Sequence, residues 1–172
     1  MQKFIDTATQ QLWAFDDDVK ASKENGSYMF SDAHGDPLQV PSTLQPYTPT
    51  VEETAADEAA AARAALVAQA SSAFAAGIRL SSTGTPELDG IYSCDAVSQA
   101  DIVAIEASLI TGKVFPSGAT TLDYPDASGK PHSFSPSTFL DFASAVRTYV
   151  YALKALLGGA SDTLPNPEVT IP

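Results

Sequence analysis

The sequence is poor in several residue types, and each shortage closes off a class of function. One cysteine, Cys94, in 172 residues cannot form an intrachain disulfide. Two histidines, His34 and His132, leave no Cys/His spacing of the kind a structural zinc requires. Basic residues are scarce: 9 Lys and Arg stand against 21 Asp and Glu, for a net charge of −12. The field of such a chain repels the phosphates of nucleic acid and an anionic membrane surface, so nucleic acid is not an expected partner. No run approaches the roughly 20 apolar residues that span a bilayer. The opening MQKFIDTATQQLWAF also lacks the cationic start and unbroken apolar stretch of a signal peptide, and a soluble protein without membrane insertion is expected. Gly-rich phosphate loops are missing too. What is present is 44% apolar content, enough to build a core in one ordinary domain or two small ones.

Along the chain the reading is α+β: a small N-terminal antiparallel β unit, a long Ala-rich connecting helix, and a C-terminal hairpin-helix-hairpin-helix domain. In the all-β module, 1–41, KFID and QLWAF flank the polar Thr7-Ala8-Thr9-Gln10 and read as a hairpin. Alternation puts Leu12 and Ala14 on one face and Trp13 and Phe15 on the other. Asn25-Gly26 marks a further turn, Tyr28-Met29-Phe30 a strand, and Leu38-Gln39-Val40 its partner. Such a unit is near the lower size limit for independent stability, roughly 40 residues, and is expected to lean on something else. Residues 42–51 lie among Pro41, Pro46 and Pro49 and read as a linker. Over 52–76 high helix propensity and early acidic residues predict a helix, with Leu66, Val67, Ala70 and Phe74 packing on a core and alanine alone in its first half. In 77–159 the hairpins are 78–92 and 120–134. One helix is expected from a capping box at Ser98 to Gly112, the other from Ser135-Pro136 to Leu157. The stripe Phe139, Phe142, Val146, Val150, Leu153 and Leu157 makes the latter the main core helix. The tail, 160–172, is proline-rich and without period, and would be ordered only by its own domain or a partner.

Chemistry is thin. The segments FSDAHGDP (30–37) and YPDASGKP (124–131) repeat one pattern. Asp32 and Asp126 suit a turn in which the side chain bonds a backbone amide two residues on, and Gly35 and Gly129 suit the left-handed residue of a bulged hairpin. These four are structural turn residues. A Ser133, His132 and Asp123 or Asp126 triad is disfavoured because adjacent strand residues point to opposite faces, which leaves these as solvent-facing hairpin residues. Asp16-Asp17-Asp18 lacks the alternation of a calcium loop, and Cys94 reads as a buried small apolar side chain. No metal, cofactor or catalytic residue is expected. What remains is surface. Trp13 and Phe15, with Phe4 and Leu12 beside them, are the candidate partner-binding residues, since so small a sheet cannot bury both faces unaided. The alanine-rich half-helix is either a solvated spacer or a packing seam for an oligomer.

MQKFIDTATQQLWAFDDDV followed by LQVPSTLQPYTP resembles the opening module of the tail-fibre assembly proteins of bacteriophages and prophages. IYSCDAVSQADI resembles the core of an uncharacterised phage-tail domain, matching at Tyr92, Asp95, Ser98, Gln99 and Ile102, positions that read as strand end, cap and first helical turn. The resemblance implies a non-enzymatic protein that binds a trimeric tail fibre and helps it fold, assemble or attach. It places the protein in the host bacterial cytoplasm during assembly. The alternative it leaves is a permanent component of the virion tail. A hydrolase acting on host surface polymer through His132, Asp126 and Asp123 is the competing reading from outside the resemblance.

Overall fold

A computed structural model describes residues 1–112, 114–115 and 118–172. The chain forms two compact units, Met1–Glu58 and Ala59–Pro172. The first holds β1 (Gln2–Asp6), β2 (Leu12–Phe15), β3 (Lys20–Glu24), β4 (Ser27–Ser31) and β5 (Leu44–Pro46). A three-stranded antiparallel sheet runs β2-β1-β5, and β3 and β4 form a separate hairpin around Asn25-Gly26. Two expectations are corrected here. The partner of β4 is the hydrophilic Lys20–Glu24 rather than 38–40, because a two-residue turn pairs the residues immediately before it. Leu38 contributes a single amide to the Phe30 carbonyl at 2.8 Å, beside the lone Ser31 to Pro37 bridge. The 42–51 linker also contains β5, whose Leu44 is fully buried, while Pro46 sits at the edge of the sheet where a missing amide donor is tolerated.

Helix α1 covers Val51–Ala76, so the division between units falls inside it. Residues 51–62 are exposed throughout, whereas Ala70 is buried and Leu66, Ala73 and Phe74 pack against the core of the second unit. That unit continues with β6 (Ile78–Ser82), a short 3-10 turn at Pro86–Leu88, β7 (Gly90–Tyr92), α2 (Ala96–Ile110), β8 (Leu122–Pro125), β9 (Pro131–Phe134), α3 (Pro136–Leu157) and β10 (Glu168–Ile171). The expected hairpin-helix-hairpin-helix order is present, with β10 added to it. The tail is held by its own unit: β10 lies parallel to β6 in a sheet ordered β10-β6-β7, and Ile171 is buried.

Helix α3 is the spine of this core. Phe139, Phe142, Val146, Val150, Leu153 and Leu156 are buried along one face, against Ile78, Leu80, Tyr92 and Phe134. Leu157, expected on the stripe, is 38% exposed, and Leu156 takes the inward place. Ser135 accepts from the Thr138 amide while the Thr138 hydroxyl accepts from the Ser135 amide, a reciprocal cap followed by Pro136 at the first position. Helix α2 starts earlier than expected. Its cap is Asp95, whose Oδ1 accepts from the amides of Val97 and Ser98, each at 2.9 Å; a carboxylate is the stronger acceptor at the positive end of a helix. Ser98 becomes a first-turn residue bonded to the same carboxylate. Among the described residues no helix is long and apolar enough to cross a membrane.

Candidate functional site

In the first unit, the pairing of Phe4 with Trp13 and of Gln2 with Phe15 sets both aromatic residues of β2 on the Phe4 side of the sheet. The β3-β4 hairpin covers that side. Phe4 meets Phe30 at a ring-centroid distance of 4.7 Å and Tyr28 at 5.3 Å, and Phe15 stacks on Phe30 at 4.5 Å. Phe4 is therefore core, not contact surface, and Trp13 and Phe15 are half-buried at the margin of the same cluster. The Trp13 indole N–H is turned inward, with no acceptor among the described residues. Only Leu12 of the four candidate contacts faces out, at 48% exposure, on the opposite face with Ile5, Ala14 and Gln45.

This outer face is fixed from behind by a carboxylate that the sequence reading did not single out. Asp6, at the end of β1, is buried; it accepts from the Ala8 amide and Thr9 hydroxyl within the β1-β2 turn, and from the Thr43 hydroxyl just ahead of β5 at 2.5 Å. The Thr43 bond, ahead of the others, holds its pKa below the ordinary value. An Asp closing a strand before Thr-Ala-Thr was the available signal, since such a side chain bonds the amide two residues on. On the outer face itself, Lys3, which pairs with Ala14, lies 3.7 Å from Asp57 of α1, and Glu53 in the first turn of that helix takes a hydrogen bond from the Tyr47 hydroxyl. Leu12 and Ala14, on the edge strand β2, stay exposed.

The two repeated turns are built alike, one in each unit. Asp32 Oδ1 accepts from the amides of His34 and Asp36, both at 2.9 Å, and Asp126 Oδ1 accepts from those of Ser128 at 2.8 Å and Lys130 at 3.0 Å. Gly35 and Gly129 follow with φ of 94° and 86°, the left-handed conformation that closes both turns. The copies differ at the histidines. The His34 side chain is 86% exposed, but His132 is buried, which corrects its reading as a solvent-facing residue. Its Nδ1 donates to the Glu87 carbonyl at 2.5 Å, and Nε2 lies 3.3 Å from Asp126 Oδ2. The hairpin is thereby tied to the 3-10 turn, and the Ala127 amide bonds the Ile91 carbonyl of β7 at 2.7 Å. The Asp126 carboxyl is held well below its ordinary range, first by the Ser128 hydroxyl and then, against a desolvation penalty, by the Lys130 amide and the His132 ring.

Of the postulated hydrolytic set, His132 and Asp126 meet, but Asp123 does not join them. Asp123 and Ser133 are opposite each other and exposed on one face of the β8-β9 hairpin, while His132 is buried on the other. Cys94 is fully buried, and burial, with the charge of Asp95 adding to it, pushes the thiol up to about 11. A second missed carboxylate, Glu106, sits buried on α2 and is paired with Arg147 of α3. Its position four residues after Ile102, on the buried stripe, was the signal. Among the described residues no cluster of His, Cys, Asp and Glu could hold a metal ion. No protein family, curated protein or solved structure matches this chain.

Proposed function

We propose that this chain is a non-enzymatic, tail-fibre-associated protein of a bacteriophage or prophage, which binds a trimeric fibre and assists its folding, assembly or attachment. The reading rests on the resemblance of the opening module and of the Tyr92 to Ile102 segment. One structural observation supports it further: the first unit turns the apolar Leu12 and Ala14 outward on β2, a strand at the edge of its sheet. The notable side chains elsewhere have internal employment. Asp126 and His132 fasten a hairpin, Asp95 caps a helix, and Glu106 and Arg147 join two helices.

An edge strand offers unpaired backbone groups as well as its side chains, which suits docking against a partner that is itself rich in β-structure. The contact surface is thus Leu12 with Ile5 and Ala14, with Trp13 and Phe15 as its packed support. Co-expression with a trimeric tail-fibre protein tests the proposal. A soluble complex, or a gain in soluble fibre, is expected with the wild-type chain and not with Leu12→Glu.

A further inference from the structure

A groove of about 500 Å³ runs between α3 and the tail. Its helical wall carries Asp141, Ser144, Thr148 and Ala152, and its other wall is the outer edge of β10. The β10-β6 ladder decides which backbone groups face that groove. Arg79 and Thr83 donate to the carbonyls of Pro167 and Ile171 at 2.8 and 3.0 Å, so alternate residues of β10 turn inward to β6. The residues between them turn the other way: the amide and carbonyl of Thr170 and the carbonyl of Glu168 point to the open side. The Glu168 amide is already satisfied by Asn166 Oδ1 at 3.1 Å.

An edge strand lying alongside a helix, with a cleft between them, is the geometry by which a sheet accepts an extended peptide as an additional strand. We infer that this groove is a second docking site, one that takes an extended segment of a partner protein by strand addition to β10 and favours a segment carrying a lysine or arginine. The charge preference follows from the walls. Asp141 is exposed, Glu168 stands at the strand edge with only Arg79 at 3.8 Å, and among the described residues no basic side chain lines the groove. A net charge of −12 on each chain works against a second copy as the occupant. Small side chains on the helical wall, Ala145, Ser144 and Ala152, leave room for the alternate side chains of an incoming strand. This inference concerns the second unit and does not depend on the fibre-binding reading of the first.

The test is titration of the full chain, isotope-labelled for amide spectra, with short synthetic peptides. One alternates valine and threonine around a central lysine, a second has glutamate in place of that lysine, and a third is the lysine peptide N-methylated at alternate residues. The lysine peptide is expected to shift the Thr170 amide and slow its hydrogen exchange. N-methylation should weaken binding by about tenfold or more through lost backbone bonds. The glutamate peptide should bind about fivefold less tightly, a preference that Asp141→Lys removes. Thr148→Arg, an exposed change that fills the groove without touching the ladder, should abolish binding. The inference is overturned if no peptide perturbs Thr170, if N-methylation makes no difference, or if the lysine and glutamate peptides bind alike. It is equally overturned if Thr170 becomes protected with rising protein concentration and no peptide, which would make a second copy the occupant.

Discussion

Asp126 works with both oxygens, one closing a turn and the other facing a buried imidazole. Because the fold holds this carboxyl below its ordinary value of 3.8, the unfolded chain binds the proton more readily than the native one. Its stabilisation is therefore complete above that value and is lost as pH falls through the lower, native one. Asp126→Asn should lower the melting temperature at neutral pH, and its gap from wild type should close on acidification below the ordinary carboxyl range. A gap that stays constant with pH would contradict this assignment. Cys94 supplies a second residue-level outcome. With its thiol raised from 9.0 to about 11, the thiolate at mildly alkaline pH is scarcer by about a hundredfold, and burial slows access further. Thiol reagents should label the native chain at least about a hundredfold more slowly than the denatured chain; equal rates would show that Cys94 is accessible.

At the scale of elements, what was legible in the sequence was what is local. Helix α3 declares itself through Ser135-Pro136 and a stripe at spacings of three and four, and the structure follows that pattern almost residue for residue. The Leu12 and Trp13 faces of β2 likewise follow from alternation. The strands that escaped notice were those specified by partners. Lys20–Glu24 reads as polar loop and becomes β3 only because Asn25-Gly26 folds it onto Tyr28 and Phe30. Leu44–Pro46 and Glu168–Ile171 sit among prolines, yet each adds to a strand distant in sequence, and ladder bonds are made by backbone that any side chain carries. For the same reason the aromatic residues of β2 looked free: nothing local said that a hairpin of hydrophilic and aromatic residues would fold over them. His132 was misread because its burial depends on the Glu87 carbonyl, far away in sequence. Anchoring of β10 can be checked through Ile171, a residue 4% exposed in the core of the second unit. Ile171→Ala should cost about 2–4 kcal/mol in urea unfolding. A change under about 0.5 kcal/mol, as at surface positions, would mean that the tail is not packed as described.

At the scale of the molecule, the proposed fibre-binding reading draws on the acidic charge balance and on the outer face of the first unit's sheet. Leu12 is one of several large apolar side chains exposed among the described residues, and it lies on the edge strand β2, whose outer side is open to a further strand. The reading thus stands on the outer face of β2. Leu12→Glu, at a position already half exposed, should leave stability within about 0.5 kcal/mol of wild type. The decisive measurement is co-purification of a trimeric tail-fibre protein with the wild-type chain and with Leu12→Glu, at matched expression and with unfolding midpoints determined for both. The account predicts a stable complex and more soluble fibre with the wild-type chain, and loss of both with the variant. Failure of the wild-type chain to bind or solubilise the fibre, or full binding by the Leu12→Glu variant, would contradict it.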